Sequence, residues 1–139
     1  DQDGRLSFTS IFPACYPGRW PHVHFEVFDS FESAVAGENA RLTSQIALPE
    51  QACEAVYGYD TGYAASVQNM SGVTLSSDGV FGDGWDAELA SVTGDPASGM
   101  MIALTIGIGE TSANTPPGGA PPLGGPPPNG RPPGPPPPR

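Results

Sequence analysis

Lysine is missing altogether from this chain of 139 residues, and five arginines stand against 15 aspartates and glutamates. That material cannot build a basic face, so nucleic-acid binding through phosphate contacts is excluded as a function class. No apolar run approaches the roughly 20 residues that span a bilayer, so no membrane span is expected, and the sequence shows no signal peptide. The P-loop, the dinucleotide-binding glycine fingerprint, the nucleophile elbow and any internal repeat are absent as well. Cysteine and histidine occur twice each. Cys15 and Cys53 are neither close in sequence nor joined by further cysteines, so a cysteine metal site is disfavoured. Two readings stay open for them: a pair of buried thiols, or one disulfide in an exported protein.

What is present divides the chain in two. Thirteen of the 18 prolines fall after Ser112, in a stretch with no aromatic residue. Residues 112–139 cannot bury enough apolar surface to offset chain entropy and are expected to be disordered or polyproline-like. A linker, a ligand for a proline-recognising partner and a plain flexible tail all fit that composition. Residues 1–111 hold every acidic residue and form the expected folded domain, large enough for one modest core. The formal net charge of −10 suits a protein kept dispersed by repulsion. Asp1-Gln2-Asp3-Gly4 is a turn sequence with a strand pattern directly after it. The expectation is that another strand precedes it and that the chain is a C-terminal fragment of a longer protein.

Apolar and polar residues alternate with period two through most of the domain. Leu6 and Phe8 share one side, as do Val23, Phe25 and Val27. The same holds for Trp85, Ala87 and Leu89, and for Met100, Ile102, Leu104, Ile106 and Ile108. Such segments read as half-buried strands. One helix is expected from Pro49, with Cys53, Val56 and Tyr57 on one face and Gly58 as its stop. Ser33–Ala40 could add a helical turn. The predicted fold class is all-β: an antiparallel β-sandwich with one short helix and the Pro/Gly-rich tail.

The chemistry is concentrated in CYPGRWPHVHFEV, from Cys15 to Val27. Residues two apart on a strand share a face, so His22 and His24 stand side by side if Val23, Phe25 and Val27 face the core. Adjacent imidazoles can be cis ligands of one metal, although two surface histidines give the same pattern. Tyr16 lies in a turn-prone Tyr-Pro-Gly stretch that can bring its phenol to that face. Bound to a trivalent cation, the phenol would be a hard anionic donor. Arg19 would oppose cation binding unless an anion forms beside the metal; a salt bridge to one of the many carboxylates is its other reading.

With its neighbours, this stretch resembles the metal-binding region of the intradiol ring-cleavage dioxygenases, the catechol and protocatechuate dioxygenase superfamily, and within it a secreted bacterial branch. The resemblance rests on D-x-D-G-R at the start, then I-x-P-x-x-Y ending at Tyr16, then Arg19 three residues before His22-x-His24, and a later TSQIALPE carrying Gln45. It covers most of residues 1–109.

The resemblance implies one non-haem Fe(III) held by Tyr16, His22 and His24, with Arg19 and Gln45 beside it. The implied substrates are a small aromatic diol and dioxygen, the implied product a muconate-type dicarboxylate. The ion would act as a Lewis acid on the diol, Tyr16 would serve as the displaced base, Arg19 would stabilise developing negative charge, and Gln45 would orient substrate or dioxygen. Gln45 could equally be a sheet residue satisfying a backbone group. The resemblance implies a secreted or cell-envelope location, and a homo-oligomer is an allowed assembly. Two departures stand out. Only five residues separate Tyr16 from His22, fewer than in typical protocatechuate enzymes, which reshapes the expected pocket. The family's second tyrosine ligand lies upstream of the D-x-D-G turn, and Tyr57, Tyr59 and Tyr63 do not match it, so weak metal binding and little activity are expected of this chain alone. Two rivals remain: a non-catalytic β-sandwich module binding through Trp20, Trp85, Tyr59 and Tyr63, and a zinc or copper site on His22 and His24.

Overall fold

The computed structural model describes residues 1–109; the boundary expected near residue 111 and the segment 112–139 lie outside the described residues. Strands β1 (His22–Val27) and β2 (Leu42–Ala47) pair antiparallel, with His22 opposite Ala47 and His24 opposite Gln45. Between them runs helix α1 (Phe31–Ala36), capped at its start by the Ser30 hydroxyl and stopped by Gly37. Helix α2 (Glu50–Tyr59) follows β2, and after a short 3-10 turn comes α3 (Ala64–Met70). Two further 3-10 turns, Leu75–Ser77 and Phe81–Asp83, lead to the antiparallel hairpin β3 (Ser91–Asp95) and β4 (Gly99–Ala103). Gly94 is obligatory in that hairpin: its φ is +88°, and a Cβ there would lie 2.3 Å from the Gly99 carbonyl oxygen.

The antiparallel pairing matches the sequence pattern; the composition differs. The described residues carry two small two-stranded sheets and three α-helices, a mixed arrangement instead of two stacked sheets. Helix α2 buries Ala52, Cys53, Val56 and Tyr57, the face the spacing indicated, but it runs through Gly58 to Tyr59. Helix α3 was not expected at all. Residues 5–11 form no strand, and Leu6, Phe8 and Ile11 are exposed. Trp85–Leu89 is a turn, because the amides of Glu88 and Leu89 both bond back to the Trp85 carbonyl; only Leu89 bridges to Ala47. The last strand stops at Ala103 instead of running on to Ile108.

The core lies on the helical side. Cys15, Trp20, Ala47, Leu48, Cys53, Val56, Tyr57, Val73 and Phe81 form one buried cluster. Val23, Phe25 and Val27, expected to face it, are only half-buried. The β1–β2 ribbon instead turns the Ala47 end of its other face into the core. Both cysteines are buried and free, so the disulfide reading is not met. Burial pushes both thiols up, Cys53 to about 12, which leaves them inert as nucleophiles near neutral pH. No helix among the described residues is long and apolar enough to cross a membrane.

Candidate metal centre

The loop that carries Tyr16 is tied down by the helices. Tyr57 donates its hydroxyl to the Pro13 carbonyl at 2.8 Å, and Tyr63 donates to the Phe12 carbonyl at 2.7 Å. One turn of α3 then holds Cys15 from both sides. The buried Ser66 hydroxyl accepts the Cys15 amide at 3.1 Å, and the Asn69 side chain donates to the Cys15 carbonyl at 2.9 Å. Four bonds of about 1 kcal/mol each thus fix the backbone at Phe12, Pro13 and Cys15, just before the candidate ligand. Burial, the largest effect, pushes the Tyr57 phenol up, helped by Cys53 beside it. With each hydroxyl committed to a backbone carbonyl, Tyr57 and Tyr63 serve as donors that hold the loop.

Tyr16-Pro17-Gly18-Arg19 then reverses the chain. The Arg19 amide bonds to the Tyr16 carbonyl at 3.3 Å, and Gly18 has φ +78°. Proline at the second place and a positive-φ glycine at the third are the type II turn pattern. The reversal folds the Tyr16 phenol back onto β1, where its oxygen lies 3.4 Å from Nε2 of His22. The two rings meet edge-on with centroids 5.8 Å apart, and Phe81 of the core abuts the His22 ring from elsewhere at 6.2 Å.

His22 is oriented by its backbone neighbour. Its Nδ1 lies 2.5 Å from the Trp20 carbonyl oxygen, which can only accept, so Nδ1 carries the proton. The lone pair is then on Nε2, facing Tyr16. This is the arrangement by which proteins fix a ligating imidazole. Burial lowers the His22 pKa most; the Trp20 bond raises it and the nearby Arg19 charge lowers it, and the net shift is downward. A neutral ring near pH 7 is the form that binds a metal.

His24 stands on the same face of β1, opposite Gln45, exposed and with no side-chain hydrogen bond among the described residues. Gln45 is buried, and its Oε1 accepts from Nη2 of Arg19 at 2.6 Å. The alternative reading of Gln45, satisfying a backbone group, is replaced by this side-chain bond. Arg19 is also in the salt bridge that its other reading anticipated: Nε donates to Oδ2 of Asp78 at 2.9 Å. Both readings of Arg19 are compatible, because only one edge of the guanidinium is consumed. Asp78 is unmarked in the sequence, lying in a Ser-, Gly- and Asp-rich segment. The signal that could have found it is an aspartate two and three residues before amides it can cap, as in an Asx turn.

The structure thus brings Tyr16 and His22 into direct contact, keeps His24 on the His22 face of β1, and joins Arg19 to Gln45. The 3.4 Å between the phenol oxygen and Nε2 is a span that two donors, each about 2 Å from a shared ion, can subtend. One phenol oxygen with two imidazoles suits ferric iron, since a hard anionic donor favours a hard cation. Among the described residues no three His, Cys, Asp or Glu side chains gather into a metal cluster; any site here depends on the tyrosine. A separate cleft of about 210 Å³ lined by Trp20, Glu50, Thr74, Leu75, Ser76 and Trp85 is smaller than the roughly 300 Å³ from which small-molecule pockets start. The Trp20 indole N–H beside it is already bonded to the Leu48 carbonyl at 2.8 Å. Comparison with protein-family models, curated proteins and solved structures gives no match.

Proposed function

We propose that this chain carries the ferric centre of an intradiol-type ring-cleavage dioxygenase, converting a catechol-type diol and dioxygen to a muconate-type dicarboxylate. The observation that carries the reading is the Tyr16–His22 contact, with the bare Nε2 of a backbone-fixed imidazole turned toward a phenol oxygen. Tyr16, His22 and His24 would hold the ion, and the antiparallel ribbons would be parts of a β-sandwich of the intradiol kind. Bound there, Fe(III) would supply Lewis-acid activation of the diol.

The chain's own residues would do the rest. Tyr16 is half exposed, and as the phenolate it would become on the ion it would take a proton from an incoming diol hydroxyl. His22 keeps its donor geometry through the Trp20 carbonyl. The unpaired edge of the Arg19 guanidinium offers N–H donors and positive charge where an anionic diol or its oxygenation product accumulates charge. Gln45, held by Arg19, bounds the buried side of that space.

The test is incubation of the ferric-loaded protein with catechol under dioxygen. The expected result is slow formation of an ultraviolet-absorbing dicarboxylate with oxygen from dioxygen in its carboxylates, abolished by His22→Ala. Release of a yellow semialdehyde from cleavage beside the hydroxylated carbons, or a dicarboxylate yield unchanged in His22→Ala, overturns the reading.

A further inference from the structure

Asp78 is the most heavily engaged buried charge in the described protein. Its side chain is fully buried. Oδ1 accepts the amides of Val80 at 2.8 Å and Phe81 at 3.1 Å, while Oδ2 accepts the amide of Trp20 at 2.6 Å and Nε of Arg19 at 2.9 Å. Both oxygens are saturated, and each has a separate duty. Oδ1 caps the turn that delivers Phe81 to the core and to the edge of the His22 ring. Oδ2 grips two consecutive residues, Arg19 and Trp20, one by its side chain and the other by its backbone. Trp20 in turn presents the carbonyl that fixes His22.

A guanidinium on a flexible stem loses much entropy when held in one place, and a single charged bond at Nε fixes its plane. With Nε committed to Asp78 and Nη2 to Gln45, Arg19 has one allowed orientation, with Nη1 unbonded among the described residues. We propose that Asp78 is the positioning residue of the site: it aims Arg19, and through Arg19 locks Gln45, relative to the Tyr16–His22 pair. The inference rests on the dioxygenase reading for its catalytic consequence, whereas the aiming of Arg19 stands by itself. Asp78 touches neither substrate nor metal in this account.

The two parts separate experimentally. The first readout needs no iron: exchange of the Arg19 Hε proton with water, followed by nuclear magnetic resonance. In the unaltered chain it should be at least about 10-fold slower than for the exposed Arg5 Hε, since exchange requires opening a buried charged bond. Equal rates overturn the proposal without any variant. In Asp78→Asn, studied well below its own unfolding temperature, the negative charge is gone and one carbonyl oxygen is left for four donors, so whichever way the amide turns the charged bond from Arg19 is removed. The protection of Arg19 Hε should then be lost while the resonances of α2 and α3 stay dispersed.

The second readout uses the iron-loaded protein. Asp78→Asn should lower kcat by about 10- to 100-fold with the tyrosinate colour of the metal retained. Wild-type kcat in a folded Asp78→Asn, or retained Arg19 protection, contradicts the assignment. Loss of colour contradicts it too, because it would put the main effect of Asp78 on the ligands, through Trp20 and His22, and not on Arg19. Should the unaltered chain show no turnover, the dioxygenase reading fails, and the proton-exchange result alone decides the positioning role.

Discussion

The two faces of the β1–β2 ribbon differ sharply. One carries Val23, Phe25 and Val27, the aliphatic side that the alternation pattern assigns to a core, and it stays half-buried. The other carries His22, Gln45 and Ala47, and its Ala47 end joins the packed cluster of Phe81, Leu48, Trp20 and the α2 face. The polar face is thus the better anchored one. Its order comes from outside the sheet: from the hydroxyls of Tyr57 and Tyr63, the pair Ser66 and Asn69 on α3, and the carboxylate of Asp78. The site is a property of the helical half of the molecule pressed on one end of a strand pair, and the aliphatic face contributes little to holding it.

That contrast can be broken by truncation. Phe81→Ala should cost about 3–5 kcal/mol in urea unfolding, as for other fully buried phenylalanines; Phe25→Ala on the open face should cost about 1 kcal/mol. Equal losses would erase the difference between the two faces. Next in size is the response to acid. Burial pushes the Asp78 carboxyl up, but the bonds from Arg19, Trp20, Val80 and Phe81 outweigh it and hold it below the ordinary 3.8. As pH falls, the unfolded chain takes up this proton first. The stabilisation is therefore complete above 3.8 and is lost as pH drops through the lower folded-state value. Urea midpoints measured from pH 6 down to pH 2 should fall, and Asp78→Asn should flatten that fall.

Smaller again is Tyr57→Phe, which strands the Pro13 carbonyl and should cost about 1–2 kcal/mol. It should also weaken iron binding, by loosening the loop before Tyr16; a change in stability without any change in iron affinity would separate the helices from the site. The smallest effect belongs to the exposed Arg41–Asp29 pair, where Asp29→Asn should shift stability by less than about 1 kcal/mol in thermal unfolding.

The sequence made the local chemistry readable and the packing much less so. The strand at His22, the helix after Pro49 with its Cys53, Val56 and Tyr57 face, and the Tyr-Pro-Gly turn all rest on periodicity or on residue-specific backbone preference, which act over a few residues. The contact of Tyr16 with His22 and the bond of Arg19 to Gln45 follow from that turn and from the β1–β2 register. Helix α3 was hidden because Ala64–Met70 has no cap motif, begins straight out of a 3-10 turn and buries only Ser66. Leu6 and Phe8 alternate with polar residues like a strand, but alternation cannot supply a partner strand, and none pairs with them among the described residues. Asp78 is unmarked in the sequence for a related reason. An aspartate in a Ser- and Gly-rich loop looks like a solvated turn until the fold brings Arg19 and Trp20 to it from 59 and 58 residues away.

The most direct trial of the ferric-centre account is a titration of the chain with Fe(III) followed in the visible range. A phenol that ligates ferric iron gives a charge-transfer colour, and the prediction is a band that saturates at one ion per chain and vanishes in Tyr16→Phe while the fold persists. Iron that binds without colour, or a band that survives in Tyr16→Phe, would contradict the account.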